Sequence, residues 1–246
     1  MPVLFLIIFM DLVGFGLLLP LLPFYVQRVG AGPETITLVL GLYSVGQFVA
    51  APIWGRLSDS VGRKPVLALT SFGLAASYVM LAYADSLSLL IASRLFGGVM
   101  AGNIAAAQAY VSDITTPETR AKGMGVLGAA FGMGFIFGPA IGGILGGSDV
   151  ATADFTSPAL ASAAVTIAAA VGVLLFLKES LRPEHRAARI NRPKLPLGET
   201  LRPAFGRRVL VMLAMSGFLT ITAWALFETV FALWASLIFR YGPAQI

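Results

Sequence analysis

The chain has 246 residues, 57% of them hydrophobic and 12% charged, with 17 Lys or Arg against 12 Asp or Glu and a formal charge of +5. Soluble domains carry about 25% charged residues, so this composition fits lipid as solvent and excludes an ordinary soluble fold. There is no cysteine and a single histidine, His185. That removes disulfides, thiolate or paired-histidine metal sites and a Ser/His/Asp triad, and the basic excess lacks the aromatic-interleaved basic face of a nucleic-acid binder. Neither an enzyme nor a bound cofactor or metal is expected.

About 20 apolar residues are needed to cross the hydrocarbon core as a helix. Seven runs meet that length: Val3 to Val26, Thr35 to Trp54, Val66 to Ala84, Leu87 to Val111, Gly123 to Gly146, Ala159 to Leu177, and Val209 to Phe239. The first has no basic n-region and no small-x-small cleavage site, and it is too long for a signal h-region, so it is expected to stay as a helix. The last is long enough to tilt or kink.

The cations set the orientation. Arg56, Arg63 and Lys64 follow the second run, and Arg120 and Lys122 follow the fourth. Lys178, Arg182, Arg186, Arg189, Arg192, Lys194, Arg202, Arg207 and Arg208 follow the sixth, leaving only Arg28, Arg94 and Arg240 of the 17 elsewhere. The positive-inside rule then puts the N-terminus and the even-numbered loops in the cytoplasm of a multi-pass inner (plasma) membrane protein. The expected division is a six-helix bundle over 1–178, a basic cytoplasmic linker over 179–208 with prolines at 183, 193, 196 and 203, and a seventh helix over 209–246 that begins a second bundle. Ala51-Pro52-x-x-Gly55 and Gly138-Pro139-x-x-Gly142 fall at equivalent places if helices 1 to 3 and 4 to 6 are repeats of opposite topology.

Several residues do not belong in hydrocarbon. Asp11 sits within Phe-Met-Asp-Leu-Val-Gly, where a carboxylate at the helix centre costs roughly 2.5 to 3.5 kcal/mol on insertion scales. It must face a cavity, find a partner or take up a proton. The two readings are a proton-exchanging group and a structural carboxylate that caps or salt-bridges. Arg94 is followed by Gly98 and Gly102 on one face, a spacing that admits a close neighbour helix and turns the arginine into the bundle. Its guanidinium holds its proton, so it can compete for a carboxylate but not carry a proton itself. Gln47, Asn103, Gln108 and Glu228 are the remaining strongly polar side chains in the spans, either lining a cavity or joining helices. Gly134, Gly138, Pro139, Gly142 and Gly143 make the fifth helix a close-contact or hinge element.

Between the second and third helices stands Gly55-Arg-Leu-Ser-Asp59-Ser-Val-Gly62-Arg63-Lys64-Pro65. It resembles the Gly-x-Leu-x-Asp-Arg-x-Gly-Arg-Lys loop of the major facilitator superfamily, with Ser60 where the family commonly has Arg. Arg94-x-x-x-Gly98 is similar to the family's helix 4 motif. Gly134-x-x-x-Gly138-Pro139-x-x-Gly142-Gly143 is similar to its antiporter motif in helix 5, and Asp11 with Pro20 and Pro23 to the helix 1 motif of drug/proton antiporters. The bacterial tetracycline/proton antiporters are the relatives this pattern resembles most, although Ser77 stands where they carry a helix 3 carboxylate.

The resemblance implies an all-α membrane fold, two inverted three-helix repeats plus a seventh helix, and alternating access that exchanges protons for a small amphiphilic substrate. In it Asp11 and Arg94 couple proton and substrate, and Asp59, Arg63 and Asp113 form a cytoplasmic gating cluster. A C-terminal bundle missing from this chain is then expected. A sugar or metabolite facilitator, a proton symporter of the same superfamily and a non-transporting truncated membrane protein stay open as alternatives.

Overall fold

The computed structural model describes residues 2–19, 21–28, 32–147, 154–181 and 206–239; some side chains within these ranges, that of Glu228 among them, lie outside the described set. So do His185, Arg240 and most of the expected linker. The described chain is helical throughout: α1 (Pro2–Gly16), α2 (Leu22–Arg28), α3 (Pro33–Val61), α4 (Arg63–Ala82), α5 (Leu87–Ala101), α6 (Ile104–Ile114), α7 (Pro117–Gly146), α8 (Thr156–Phe176) and α9 (Arg208–Phe239). Among the described residues, five spans are long and apolar enough to cross a membrane: Thr35–Val61, Arg63–Ala82, Leu87–Ile114, Pro117–Gly146 and Thr156–Phe176.

The expected first helix is two pieces. After Gly16 the backbone tightens, with Leu18, Leu19 and Leu21 donating three residues back to Phe15, Gly16 and Leu18 at 3.2, 3.2 and 3.1 Å. The cause is chemical, because residue 20 is a proline and has no N–H for the carbonyl of Gly16. The fourth helix also breaks, at Gly102 and Asn103, between α5 and α6. Carbonyls near that break are satisfied from α3, where Trp54 Nε1 donates to Val99 at 2.6 Å and Gln47 Nε2 to Ala101 at 3.3 Å.

A second correction concerns the expected loop over 55–65. α3 runs on through Val61 and α4 starts at Arg63, so the loop shrinks to one residue, Gly62, at φ +121°. That conformation is open to glycine and costly for other residues. α7 likewise starts before the apolar run, because Thr116 and Thr119 cap it reciprocally and Pro117 pre-sets its first turn. Arg120 and Lys122 therefore sit in a helix rather than in a loop.

The principal packing pairs are α4 with α8, α1 with α7, α3 with α5, α4 with α5, and α1 with α8. Exchanging α1 for α5, α3 for α7 and α4 for α8 returns the same set, as inverted three-helix repeats require. The joints correspond as well. A methyl added at Gly16 would lie 3.0 Å from Gly138 Cα and 3.1 Å from Pro139 Cδ; one at Gly102 would lie 2.9 Å from Ala51 N, beside Pro52. Each helix that breaks does so where its glycine meets the proline-bearing stretch of its partner. Large apolar side chains such as Phe48 on α3 and Ile144 on α7 stay exposed, an outward face suited to lipid rather than water.

Candidate functional site

The bundle encloses a cavity of about 880 Å³. Its wall is mainly aliphatic and aromatic, with Phe15, Phe131 and Phe135 on one part of it, and among the described residues the charged ones that line it are Asp11 and Arg94. Gln47, Asn103 and Gln108 line it too. Asn103 Nδ2 donates to Thr70 Oγ1 at 3.0 Å, while Gln108 is exposed.

Asp11 comes from the middle of α1, and its Oδ2 accepts from Ser71 on α4 at 2.9 Å. Its Oδ1 is buried and has no hydrogen-bond partner among the described residues. Arg94 comes from α5 and is 1% exposed, with Nε and Nη2 buried and unpartnered. The guanidinium carbon sits 5.9 Å from the ring centroid of Tyr43 and 5.8 Å from that of Tyr78. Two aromatic faces thus stand in for part of the hydration a buried cation loses. No ion pair within 4.0 Å joins Asp11 to Arg94 among the described residues. Ser71, Tyr43 and Tyr78 were not singled out by the sequence. Polarity alone hides them, since a serine or tyrosine in a span is ordinary.

A second polar cluster closes the Gly62 end of the bundle. Arg63 is 1% exposed; its Nη2 donates to Asp59 Oδ1 at 2.5 Å, its Nε to Asp113 Oδ2 at 3.1 Å and its Nη1 to Ser58 Oγ at 2.5 Å. The backbone N–H groups of Arg63 and Lys64 donate to the two oxygens of Glu179 at 2.9 and 3.1 Å. Glu179 therefore caps α4 from beyond the end of α8, satisfying first-turn donors at the positive end of the helix. Ser180 donates to Asp113 at 3.3 Å and Tyr110 to the carbonyl of Lys178 at 3.0 Å, so the segment after α8 is fastened to both sides of the cluster. Ser60 turns its hydroxyl back to the Leu57 carbonyl at 2.9 Å. A Cβ on Gly55 would make ordinary van der Waals contact with Ala105 Cβ at 3.7 Å.

The glycines of α7 separate into two faces. Gly134 and Gly138 press on α1 and Gly142 and Gly146 on the turn that follows it, a Cβ at Gly142 landing on the Leu17 carbonyl oxygen, and Gly143 is buried beside them. Gly128 and Gly132 would meet nothing within 4 Å. Glu228 lies on α9, its side chain outside the described residues.

The family model described as Major Facilitator Superfamily matches residues 4–246. The chain belongs to that superfamily. Among major facilitator relatives it is 33% identical to "Tetracycline resistance protein, class E" of Escherichia coli over 230 residues, covering 90% of this chain and 56% of the relative. It is 30% identical to "Multidrug resistance protein 2" of Bacillus subtilis (strain 168) over 245 residues, covering 97% and 59%. The crystal structure of the human organic anion transporter MFSD10 (TETRAN) superposes with a TM-score of 0.72 at 27% identity, covering 99% of this chain and 66% of that one. The chain thus spans little more than half the length of these curated relatives. The superfamily and its structural neighbours are multi-pass membrane transporters, not enzymes.

Proposed function

We propose that this chain is the N-terminal six-helix bundle and seventh helix of a proton-coupled exporter of small amphiphilic molecules, working by alternating access against a C-terminal bundle. Asp11 exchanges a proton for the basic group of a substrate, and Arg94 biases that exchange. Competition for one carboxyl is what makes the coupling an antiport, because proton and substrate cannot hold it together. Asp59, Arg63 and Asp113 brace the cytoplasmic end, with the N-terminus on that side of the inner membrane.

The observation that carries this reading is a cavity whose charged lining, among the described residues, is one carboxyl and one guanidinium, each with a buried atom that has no partner among them. An unmatched ionisable group at membrane depth is costly to keep and so marks a working site. The names of the relatives add support, since two are resistance proteins and one a transporter of organic anions.

The test is gradient-driven uptake of ethidium by everted vesicles bearing the full-length protein. Asp11→Asn is expected to abolish uptake while the protein stays folded and inserted. Uptake at the unaltered rate would end the assignment of Asp11.

A further inference from the structure

We infer that Tyr43 and Tyr78 are positioning residues, whose ring faces hold the Arg94 guanidinium to its own part of the cavity wall and so leave the Asp11 carboxyl free to take up a proton. The inference rests on the proton exchange at Asp11 proposed above, and it adds the two side chains that govern it through Arg94.

The bracket is built by the glycines one turn beyond the arginine. A Cβ on Gly98 would land on the carbonyl oxygen of Tyr43, and one on Gly97 would lie 2.8 Å from Ser77 Oγ and 3.5 Å from Tyr43 Cε2. Lacking both side chains, α5 can sit directly against Tyr43 of α3 and against Ser77, the neighbour of Tyr78, on α4. The two ring centroids end 5.9 and 5.8 Å from the guanidinium carbon, within the ~6 Å over which a cation is drawn to an aromatic face. Tyr78 is fully buried, and Tyr43, 9% exposed, packs on Phe15 of α1 with centroids 5.1 Å apart. Rings so enclosed have little room to turn aside.

Little else holds this guanidinium. Among the described residues its Nε and Nη2 have no hydrogen-bond partner, and no carboxylate lies within 4.0 Å of it. The hydroxyl of Tyr78 is also buried without a partner, so the ring rather than its oxygen does the holding. The other ionisable side chains about the arginine are Tyr25 of α2, whose hydroxyl is committed to the carbonyls of Leu81 and Ala84, and Asp11 of α1 on the same cavity. Without its rings Arg94 has one opposite charge to move toward, and a guanidinium that pairs with a carboxylate displaces the proton.

Dicyclohexylcarbodiimide labelling of the purified full-length protein in nanodiscs at neutral pH tests this, read by mass on the Asp11 peptide. The reagent requires a protonated carboxyl, because the proton passes to a carbodiimide nitrogen as the carboxyl oxygen adds to the central carbon. Tyr43→Leu and Tyr78→Leu are each expected to slow labelling roughly tenfold, as a guanidinium brought up to the carboxyl does. Tyr43→Phe and Tyr78→Phe should label within about twofold of the unaltered protein, since phenylalanine offers the same kind of ring face. In an Arg94→Met background the leucine changes should have no further effect, a result that lost packing would not produce. Gradient-driven uptake at saturating ethidium should rank the tyrosine variants in the same order, and that order alone decides if Asp11 of the unaltered protein resists the reagent. Leucine variants that behave as the unaltered protein, or that slow labelling equally without Arg94, overturn the inference. If Asp11→Asn leaves uptake unchanged while labelling follows the expected pattern, the antiport proposal falls and the positioning of Arg94 stands; uptake lost in Asp11→Asn with labelling indifferent to the rings does the reverse.

Discussion

Replacing Arg63 with methionine keeps the buried aliphatic stem and removes one guanidinium from three acceptors. The bond to Asp113, whose side chain is 17% exposed, is a charge-assisted contact worth about 2 kcal/mol. The bond to Asp59, 43% exposed, is screened by solvent and contributes ~0.5 to 1 kcal/mol. The Ser58 contact adds about 1 kcal/mol, because the hydroxyl still donates to the Gly55 carbonyl at 2.8 Å. The loss is therefore about 3 to 4 kcal/mol, readable as a shift in SDS unfolding of the purified protein followed by far-UV circular dichroism. Length and burial disagree over the two carboxylates, since the Asp59 contact is shorter, 2.5 against 3.1 Å. Burial decides, because solvent attenuates a Coulomb term more than a few tenths of an ångström strengthen it. Asp113→Asn is thus expected to cost more than Asp59→Asn. The reverse order, or an Arg63→Met protein within about 1 kcal/mol of the original, would refute this reasoning.

Three further outcomes follow from the close contacts. Gly142→Ala should destabilise by about 1 to 3 kcal/mol in the same unfolding assay, because its Cβ meets the Leu17 backbone just past the end of α1; Gly128→Ala, with open space, should be neutral or stabilising by up to ~1 kcal/mol. Gly62→Ala should cost about 1 to 3 kcal/mol through its φ of +121° and its contact with the Glu179 carboxylate, seen as a lower thermal midpoint in detergent. Trp54→Phe removes the donor to the Val99 carbonyl while keeping an aromatic body, and should cost about 1 kcal/mol and speed hydrogen exchange near the α5–α6 joint.

The helical membrane fold was legible because apolar runs of span length admit one reading, and the family because the Gly55 to Lys64 pattern survives as a local string. The repeated small-Pro-x-x-Gly echo, a sign of inverted repeats in the sequence, falls beside the two helix breaks. What the sequence hid is where a continuous apolar run stops being a continuous helix. Hydropathy is blind to the breaks at Gly16 and Gly102, the first set by the N–H that Pro20 lacks and the second falling where Gly102 meets the Ala51 backbone of α3. Glu179 was hidden for another reason. It lies 116 positions from the amide it caps, so within its own neighbourhood it is one more acid in a polar stretch. The aromatic faces around Arg94 belong to α3 and α4, and no pattern along α5 announces them.

The single-glycine corner between α3 and α4 leaves no slack chain, which limits how this region can be manipulated. An epitope inserted between Val61 and Arg63 would part Glu179 from both amides it binds and pull Arg63 out of register with Asp59 and Asp113. The chain is free of cysteine, so a lone thiol at exposed Arg56, nearly two turns before this corner, offers a membrane-sidedness reporter that adds no residue to it.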